Sequence, residues 1–405
     1  MRILFLCNKS PWPAHEGGPM AMNSIISGLA AQGHYVKVLA VVSDKFMVSP
    51  EDVPEDFKRL TNIEFEYIDL SIRPIDAFLN LFTRQSYHVQ RFISNGFNRK
   101  LAEILKAEAF DVVQLETLFM TPYVGLIRQY SKAVVVLRAH NIEHLIWKRM
   151  AAVAPNPIKK FYLGHLARTL ERYERDAAIL FDGIAAITPA DAAFFAKLSA
   201  KPVIDLPFGI DPDEWVLGSE EQAWPGLYHI GSMNWMPNEE GVRWFLDAVW
   251  PLLRSGHPDL TISLAGRFMP AWLTNTRMPG VEVLGEVPDA RQFAREQSIA
   301  VVPLLSGSGI RIKIIEAMAL GKAVVTTTIG SEGIRCEHMK NIFIADTAAD
   351  FAAAVSFCLE NPEKTKETGR AARKLIEEHY SRNMLNNRLL DFYNQLKENK
   401  NQNQT

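Results

Sequence analysis

The chain has 405 residues, more than one hydrophobic core usually organises, so two domains are expected. Hydrophobic residues make up 48% of it and charged residues 22%, which is typical of a globular protein in water. The formal net charge of -2 argues against a general nucleic-acid-binding protein, because such proteins are usually basic. The three cysteines are far apart and belong to no CxxC or His-Cys cluster, so neither a disulfide framework nor a structural zinc site is indicated.

The N-terminus begins with an apolar run, residues 3–7, which is too short for the core of a secretion signal. No stretch of the sequence approaches 18 uninterrupted apolar residues, so no transmembrane helix is expected. The sequence therefore predicts a cytoplasmic enzyme. Reversible contact with the inner face of the membrane stays open as an additional interpretation.

The first 42 residues predict a strand, a helix and a second strand at residues 3–7, 21–32 and 36–42. Such a unit favours a parallel sheet, which binds ligands at the carboxyl ends of its strands. The dinucleotide fingerprint GxGxxG is missing. Gly17 and Gly18 lie in the first loop, where a glycine pair by itself indicates only a turn.

Strands and helices alternate along the rest of the chain, and this α/β rhythm restarts after a linker at residues 206–211. In the first half, further strands are predicted at residues 65–68, 112–115, 134–138, 183–187 and 203–206. In the second half they are predicted at residues 227–230, 261–265, 281–284, 299–305, 323–327 and 342–344.

The segment 75–97 mixes aromatic residues with cationic ones. It fits either a packed pair of helices or an amphipathic surface that faces an acceptor or a membrane. Lys159, Lys160 and Phe161 raise the same question further along the chain.

His140 follows directly after the apolar strand 134–138, where an α/β sheet exposes side chains to its ligand crevice. A single histidine is more often structural than functional, so position alone leaves its role open. Glu143 and His144 lie about one helical turn further on and either orient a ligand or cap a helix.

The segment 306–321 has the sequence SGSGIRIKIIEAMALG, a small-residue loop that leads from a strand into a helix. The free N–H groups and the dipole at such a helix start favour anions. Arg311 and Lys313 add two positive charges there, although the helix dipole favours cations at the other end, and a bound diphosphate would explain them. Glu316 is on the same helical face as Lys313 and can accept hydrogen bonds from a ribose diol. The alternative is a surface helix with a Lys-Glu pair.

Other strand ends in the second half supply further candidates. Gly231 and Ser232 follow strand 227–230, at a place suited to a phosphate, and Asn238 is interpreted as the N-cap of the next helix. Gly266 and Arg267 end the following strand, where they either line a nucleotide pocket or form a simple turn.

The run GSGIRIKIIEAMALGKAVVTTTIGSEGI, residues 307–334, resembles the donor-binding signature of family 4 retaining glycosyltransferases, which belong to the glycosyl transferases group 1 and have the GT-B fold. The resemblance implies an α/β protein of two Rossmann-like, doubly wound domains that face each other across a cleft. It also implies that Arg311 and Lys313 hold the donor diphosphate and Glu316 the ribose. Ser308 stands where many members have a second Glu near the transferred sugar, which puts that contact in question.

The same resemblance raises His140 to a candidate beside the transferred sugar, with Arg311 and Lys313 as the other catalytic candidates. The donor-binding candidates are Gly17, Gly18, Gly231, Ser232, Arg267, Ser308, Gly309, Arg311, Lys313 and Glu316. The expected organisation is an acceptor-side domain at 1–206, a nucleotide-sugar domain at 207–380, a helix at 381–397 that crosses back to the first domain, and a frayed tail at 398–405.

The predicted reaction moves a hexose from a UDP- or GDP-linked sugar to a hydroxyl of a glycan or polyprenol-linked acceptor in bacterial polysaccharide or cell-surface glycan synthesis. Retention follows from the resemblance, and no metal, cofactor or nucleic acid is expected. Two alternatives stay open: another GT-B enzyme, such as a sugar-nucleotide epimerase or a phosphorylase, and a non-catalytic protein that binds nucleotide sugar or glycan as a scaffold.

Overall fold

The computed structural model of the protein describes residues 1–14, 17–44, 47–215, 224–307 and 309–402. The chain forms two compact units. Unit 1 comprises Met1–Gly209 and Arg382–Thr405, and unit 2 comprises Ile210–Ser381. The first division between them falls inside the linker predicted at 206–211.

Unit 1 contains a seven-stranded parallel sheet in the order β3-β2-β1-β4-β5-β6-β7. Its strands are β1 (Arg2–Cys7), β2 (Tyr35–Val42), β3 (Glu64–Tyr67), β4 (Val112–Glu116), β5 (Val134–Ala139), β6 (Gly183–Ala186) and β7 (Val203–Asp205). Its first nine α-helices are α1 (Gly17–Ala31), α2 (Glu55–Thr61), α3 (Pro74–Asn80), α4 (Tyr87–Gln90), α5 (Asn95–Ala107), α6 (Val124–Tyr130), α7 (Glu143–Val153), α8 (Pro157–Ala177) and α9 (Pro189–Ala196). Short 3₁₀ turns occupy Pro50–Asp52, Leu118–Tyr123 and Ala178–Leu180.

Unit 2 contains a six-stranded parallel sheet in the order β10-β9-β8-β11-β12-β13. Its strands are β8 (Leu227–Ile230), β9 (Ile262–Ala265), β10 (Val281–Gly285), β11 (Ile299–Val302), β12 (Ala323–Thr326) and β13 (Phe343–Ile344). Its α-helices are α10 (Met236–Trp244), α11 (Trp250–Gly256), α12 (Ala271–Thr274), α13 (Ala290–Glu296), α14 (Ile312–Ala319), α15 (Thr328–Ser331), α16 (Ala348–Glu360) and α17 (Pro362–His379), with a 3₁₀ turn at Pro212–Trp215 and a π-helical turn at Phe245–Val249.

Both sheets are doubly wound, and the predicted α/β fold class is confirmed. Each predicted strand is present within a few residues of its expected bounds, because buried parallel strands are short, continuous apolar runs. The order of strands reverses between β1 and β4 in unit 1 and between β8 and β11 in unit 2. Ligands of doubly wound sheets bind in the crevice at such a reversal, at the carboxyl ends of the strands.

The last helix, α18 (Arg382–Gln402), belongs to unit 1, where it packs against α1 and one face of the sheet. It continues five residues past the predicted end at Lys397 and into the predicted frayed tail, 398–405. The extension is anchored by Lys400, whose Nζ donates a hydrogen bond of 2.8 Å to the carbonyl oxygen of Ala133. This tertiary contact overrides the polar composition of the tail.

Packing of α18 contributes to the stability of unit 1. Leu389 on this helix is fully buried, so Leu389→Ala is expected to lower the free energy of unfolding by about 2–5 kcal/mol in urea denaturation. Asp391→Ala, at an exposed position of the same helix, is the control and should change it by less than about 0.5 kcal/mol. Equal effects of the two substitutions would contradict the packing described for α18.

Candidate functional site

The loop between β11 and α14 lies at the strand-order reversal of unit 2. Gly307 and Gly309 have φ angles of 111° and 79°, in the region that favours glycine, and they turn the chain into the helix. Arg311 is the N-cap and α14 begins at Ile312. The first N–H groups of a helix have no partner within it, so this loop presents donors at the edge of the sheet.

Lys313, in the first turn of α14, reaches back toward the end of β8. Its Nζ donates a hydrogen bond of 2.8 Å to Oδ1 of Asn238, and Nδ2 of Asn238 donates one of 2.8 Å to the carbonyl oxygen of Ser232. A Cβ at Gly231 would lie 2.3 Å from the same Nζ. Glycine is therefore required at 231 for the ammonium to occupy this place.

Asn238 is not the N-cap of its helix, as the sequence suggested. Helix α10 begins earlier, at Met236, with Trp235 as its N-cap. Pro237 explains the difference, because its fixed φ angle and missing N–H suit the first turn of a helix. The amide of Asn238 is thus free to hold Lys313 instead of capping the helix.

Arg311 is buried between its own loop and an indole ring. Its Nη1 donates a hydrogen bond to the carbonyl oxygen of Gly309, and its Cζ lies 5.6 Å from the ring centroid of Trp235. Only 4% of Arg311 is exposed. A Cβ at Gly307 would lie 3.2 Å from the Trp235 ring, so the glycine lets the loop approach the indole closely.

Glycines also allow the ends of three neighbouring strands to meet. The N–H of Gly231 donates to the carbonyl oxygen of Ala265 at 3.0 Å, and that of Gly266 donates to Gly285 at 2.7 Å. Gly266 has a φ of 145°, and a Cβ there would lie 1.8 Å from the oxygen of Gly231. The next residue, Arg267, is half exposed. Its Nε lies 3.2 Å from Oε1 of Glu286, with which it forms an ion pair.

Burial favours the neutral forms of Lys313 and Glu316. Burial and the nearby Arg311 lower the pKa of Lys313 to about 7, against an opposing effect of Glu316. Burial raises the pKa of Glu316 to about 7, against the opposing charges of Arg291 and Lys313. Desolvation is the main cause in both groups, since each charged form loses contact with water. An anion beside Lys313 would restore its positive charge.

Six of the predicted donor-site residues therefore lie on one edge of unit 2, around the loops that follow β8 and β11. These are Gly231, Ser232, Gly309, Arg311, Lys313 and Glu316. Arg267 is on the adjacent loop after β9, and Ser308 lies outside the described residues. Sequence reasoning missed Trp235, the role of Asn238, and Arg291, because each acts through a contact with a distant part of the chain.

His140 lies at the corresponding edge of unit 1, in a buried polar network. Its Nε2 is 2.6 Å from Oε2 of Glu116, at the end of β4, and Nη1 of Arg138 donates to the same oxygen at 3.3 Å. Gln114 donates to Oε1 of Glu116 at 2.6 Å. Glu116 and Arg138 are fully buried, and 9% of His140 is exposed. Parallel pairing of β4 and β5 brings these side chains together.

The strand-order reversal in unit 1 also brings Lys9 and Gly18 to this network. A Cβ at Gly18 would lie 3.1 Å from Cε of Lys9, and the charge of Lys9 reaches His140. Burial lowers the pKa of His140, against the opposing charge of Glu116, and the cations Arg138 and Lys9 lower it further. Gly17 opens α1 beside Gly18. Lys9, Glu116 and Arg138 were not identified as candidates from the sequence.

The backbone is strained at the same edge of the unit 1 sheet. Thr117, directly after Glu116, is buried with φ 79° and ψ 158°, a conformation that suits glycine and costs other residues on the order of 1–3 kcal/mol. Such strain persists only where the surrounding structure imposes it, and it concentrates at functional sites.

A comparison with known protein families matches the part of the chain that contains the loops around Lys313. Residues 225–361 match the family model described as Glycosyl transferases group 1, and they cover the strands and loops around Lys313. The matched segment lies within unit 2, and we call it the group 1 domain. The resemblance of residues 307–334 to the glycosyl transferases group 1 is thus confirmed, and the group 1 domain contains the six predicted donor-site residues named above.

Similarity over the whole chain lies with one uncharacterised relative and several solved structures. A 44.6 kDa protein from the cps region of Klebsiella pneumoniae is 23% identical over 416 residues, 94% of this chain and 96% of the relative. HepE of Anabaena, solved in complex with UDP, has a TM-score of 0.66 and 15% identity over 98% of this chain and 100% of its own. Sucrose-phosphate synthase of Thermosynechococcus elongatus has a TM-score of 0.73 and 14% identity over 98% and 99%. The structural neighbours have the GT-B fold, and the group 1 domain lies within that fold here.

The tautomers of two histidines test the network around His140. His140 contacts Glu116 through Nε2, whereas His144 contacts Glu174 through Nδ1 at 2.5 Å. At pH 8 we expect the Nε2–H tautomer for His140 and the Nδ1–H tautomer for His144, because each carboxylate selects the nitrogen that donates to it. Long-range ¹H–¹⁵N spectra of labelled protein report both, and one shared tautomer would contradict the structure.

Proposed function

We propose that the protein is a glycosyltransferase that moves a hexose from a nucleoside diphosphate sugar to a hydroxyl of a glycan or polyprenol-linked glycan, with retention of anomeric configuration. The observation that carries the proposal is the place of Arg311 and Lys313. Both cations lie at the strand-order reversal of the group 1 domain, Arg311 buried and Lys313 half-buried, beside a glycine-lined helix start, where a diphosphate compensates their charge.

The nucleoside is oriented by the next turn of the same helix. Glu316 follows Lys313 by three residues and so lies on the same face of α14, where its carboxylate accepts hydrogen bonds from the two ribose hydroxyls. Ser232 and the N–H groups at the start of α14 are proposed to lie on the phosphate side. Arg267 is proposed as an outer contact, since its half-exposed guanidinium can exchange Glu286 for a phosphate oxygen.

Transfer breaks the bond between the anomeric carbon and the β-phosphate oxygen and forms a bond from that carbon to the acceptor oxygen. The acceptor proton goes to the departing phosphate, which leaves as part of the nucleoside diphosphate. Negative charge grows on that phosphate, and Arg311 and Lys313 stabilise it. A preorganised donor of this kind is worth about 3–4 kcal/mol in the transition state. His140 is proposed to hydrogen-bond the transferred sugar.

The similar proteins support a uridine donor and a polysaccharide product. HepE has been solved with UDP, with UDP-glucose, and with UDP and glucose. The Klebsiella pneumoniae relative is encoded in a cps region. We therefore propose a UDP-hexose donor, with GDP as the alternative base, and an acceptor of bacterial polysaccharide or cell-surface glycan synthesis.

A thermal-shift screen with UDP, GDP and ADP tests nucleotide binding. A nucleotide at about 100 times its dissociation constant should stabilise the protein by about 2.7 kcal/mol. Glu316→Ala should remove most of the shift, while Lys364→Ala, an exposed lysine on α17, should leave it unchanged. A wild-type protein that none of the three nucleotides stabilises would refute the donor class.

Turnover with a panel of sugar donors tests the phosphate clamp. Arg311→Ala and Lys313→Ala should each lower kcat by about tenfold or more, because each removes a contact that strengthens as the phosphate leaves. Product analysis with and without acceptor separates a transferase from an epimerase, which converts the donor alone. Wild-type rates in both variants would exclude these residues from the clamp.

We expect nucleotide affinity to rise with pH below neutrality and to fall with pH above neutrality. Lys313 carries its charge below its pKa of about 7, and Glu316 carries its charge above its pKa of about 7. Binding needs both charges, so calorimetry should find the highest affinity near pH 7, with a loss of up to about tenfold per pH unit on either side.

Two conservative variants show which residue causes the loss of affinity on each side of the pH maximum. Lys313→Arg should remove the loss above pH 7, because a guanidinium stays charged there. Glu316→Gln should remove the loss below pH 7. Titration of the nucleotide itself is common to all three proteins and cancels in the comparison. A profile that is identical in the three proteins would contradict the ionisation described for this pair.

A further inference from the structure

A cluster of exposed apolar side chains covers one end of unit 1. Six of them are between 60% and 79% exposed, which is unusual for residues of this size. They come from two separate parts of the chain, around α3 and at the junction of α7 and α8. We call them the apolar ridge: Ile75, Phe78, Phe82, Val153, Ile158 and Phe161.

The two parts of the ridge form one surface because their helices pack together. Ala77 of α3 lies against the small hydrophobic cluster that contains Ala151 of α7 and Leu163 of α8. At the end of α3, the carbonyl oxygen of Asn80 lies 3.2 Å from Nε2 of His165 on α8. The inner sides of these helices thus contact each other, and the ridge residues are on their outer sides.

Positive charge surrounds the ridge. Residues 69–85 and 147–161 contain six Lys or Arg and two Asp, a net charge of +4 in a chain whose formal net charge is -2. Lys159 and Lys160 lie between Ile158 and Phe161 at the start of α8 and are exposed. The basic residues therefore alternate with the apolar ones instead of forming a separate patch.

We infer that the apolar ridge docks unit 1 onto an anionic lipid bilayer. Aromatic and aliphatic tips that project from short helices can enter the boundary between headgroups and acyl chains, while adjacent lysines remain at the headgroups. An anionic surface complements the net charge of +4, and each cation near it adds about 1 kcal/mol of attraction. Among the described residues no helix is long and apolar enough to cross a bilayer.

The inference combines the two interpretations left open for segment 75–97. Its short helices α3 and α4 pack on a neighbour, as a helix pair would, while Ile75 and Phe78 on the outer side of α3 are exposed. The inference stands apart from the proposed transferase activity, because it concerns a surface of unit 1 and needs no donor.

Vesicle co-sedimentation of the full chain tests the docking surface. The wild-type protein should bind vesicles of phosphatidylcholine with phosphatidylglycerol, and bind pure phosphatidylcholine vesicles at least about tenfold more weakly. Phe78→Ser combined with Phe82→Ser should lower the partition coefficient by about tenfold or more, since both phenyl rings leave the bilayer. Lys159→Glu combined with Lys160→Glu should do the same and reduce the salt dependence.

Substitutions at the opposite edge of the sheet serve as controls. Ile179 is 64% exposed shortly before β6, and Lys132 and Lys201 are exposed just before β5 and β7. Ile179→Ser replaces an exposed apolar side chain at the amino ends of the strands, and Lys132→Glu combined with Lys201→Glu makes the same charge change there as the variant of Lys159 and Lys160. Both controls should bind vesicles as the wild type does.

Several results would overturn the inference. The inference fails if the wild-type protein binds anionic vesicles no more strongly than vesicles of pure phosphatidylcholine. It also fails if the ridge variants and the control variants lose vesicle binding equally. A ridge covered by a second copy of the chain would give a wild-type dimer in sedimentation without vesicles, and monomers of the phenylalanine variant. The thermal shift with nucleotide should be the same in wild type and ridge variants, which separates failure of docking from failure of the proposed function.

Discussion

A half-buried lysine ammonium among the ends of parallel strands is the constraint on which the group 1 domain depends. Lys313 occupies the space that a side chain at Gly231 would fill, and Asn238 is turned toward it. A charge in such a place loses hydration, which lowers its pKa and makes a compensating anion favourable. The absence of a side chain at Gly231 leaves room for the ammonium. The early start of α10 leaves Asn238 to bind the ammonium, and the loop into α14 positions Lys313 itself.

Unit 1 repeats the topology of unit 2 but places different chemistry at its strand-order reversal. There a fully buried carboxylate, Glu116, holds His140 and Arg138, and Lys9 lies close by. Burying these ions is costly unless they are paired, and removing one partner of such a network leaves the others uncompensated. The strained backbone at Thr117 lies at the same edge, and strain of this kind concentrates at functional sites.

The same unit combines this ordered interior with an uncovered apolar surface at the start of α8. The two features have different physical origins. The strand-end network is polar, internal and held by hydrogen bonds of 2.6 to 3.3 Å, whereas the ridge is apolar, external and surrounded by cations.

The amino-acid sequence by itself determined the α/β class, the strands, and the local constellation of Arg311, Lys313 and Glu316. These features depend on neighbours along the chain, since apolar runs make buried strands and a three-residue spacing puts side chains on one helical face. Only the tertiary structure decided that Asn238 binds Lys313 across 75 residues and that Glu116 binds His140 across 24. Those contacts depend on the order in which parallel strands pair, and no local pattern in the sequence encodes that order.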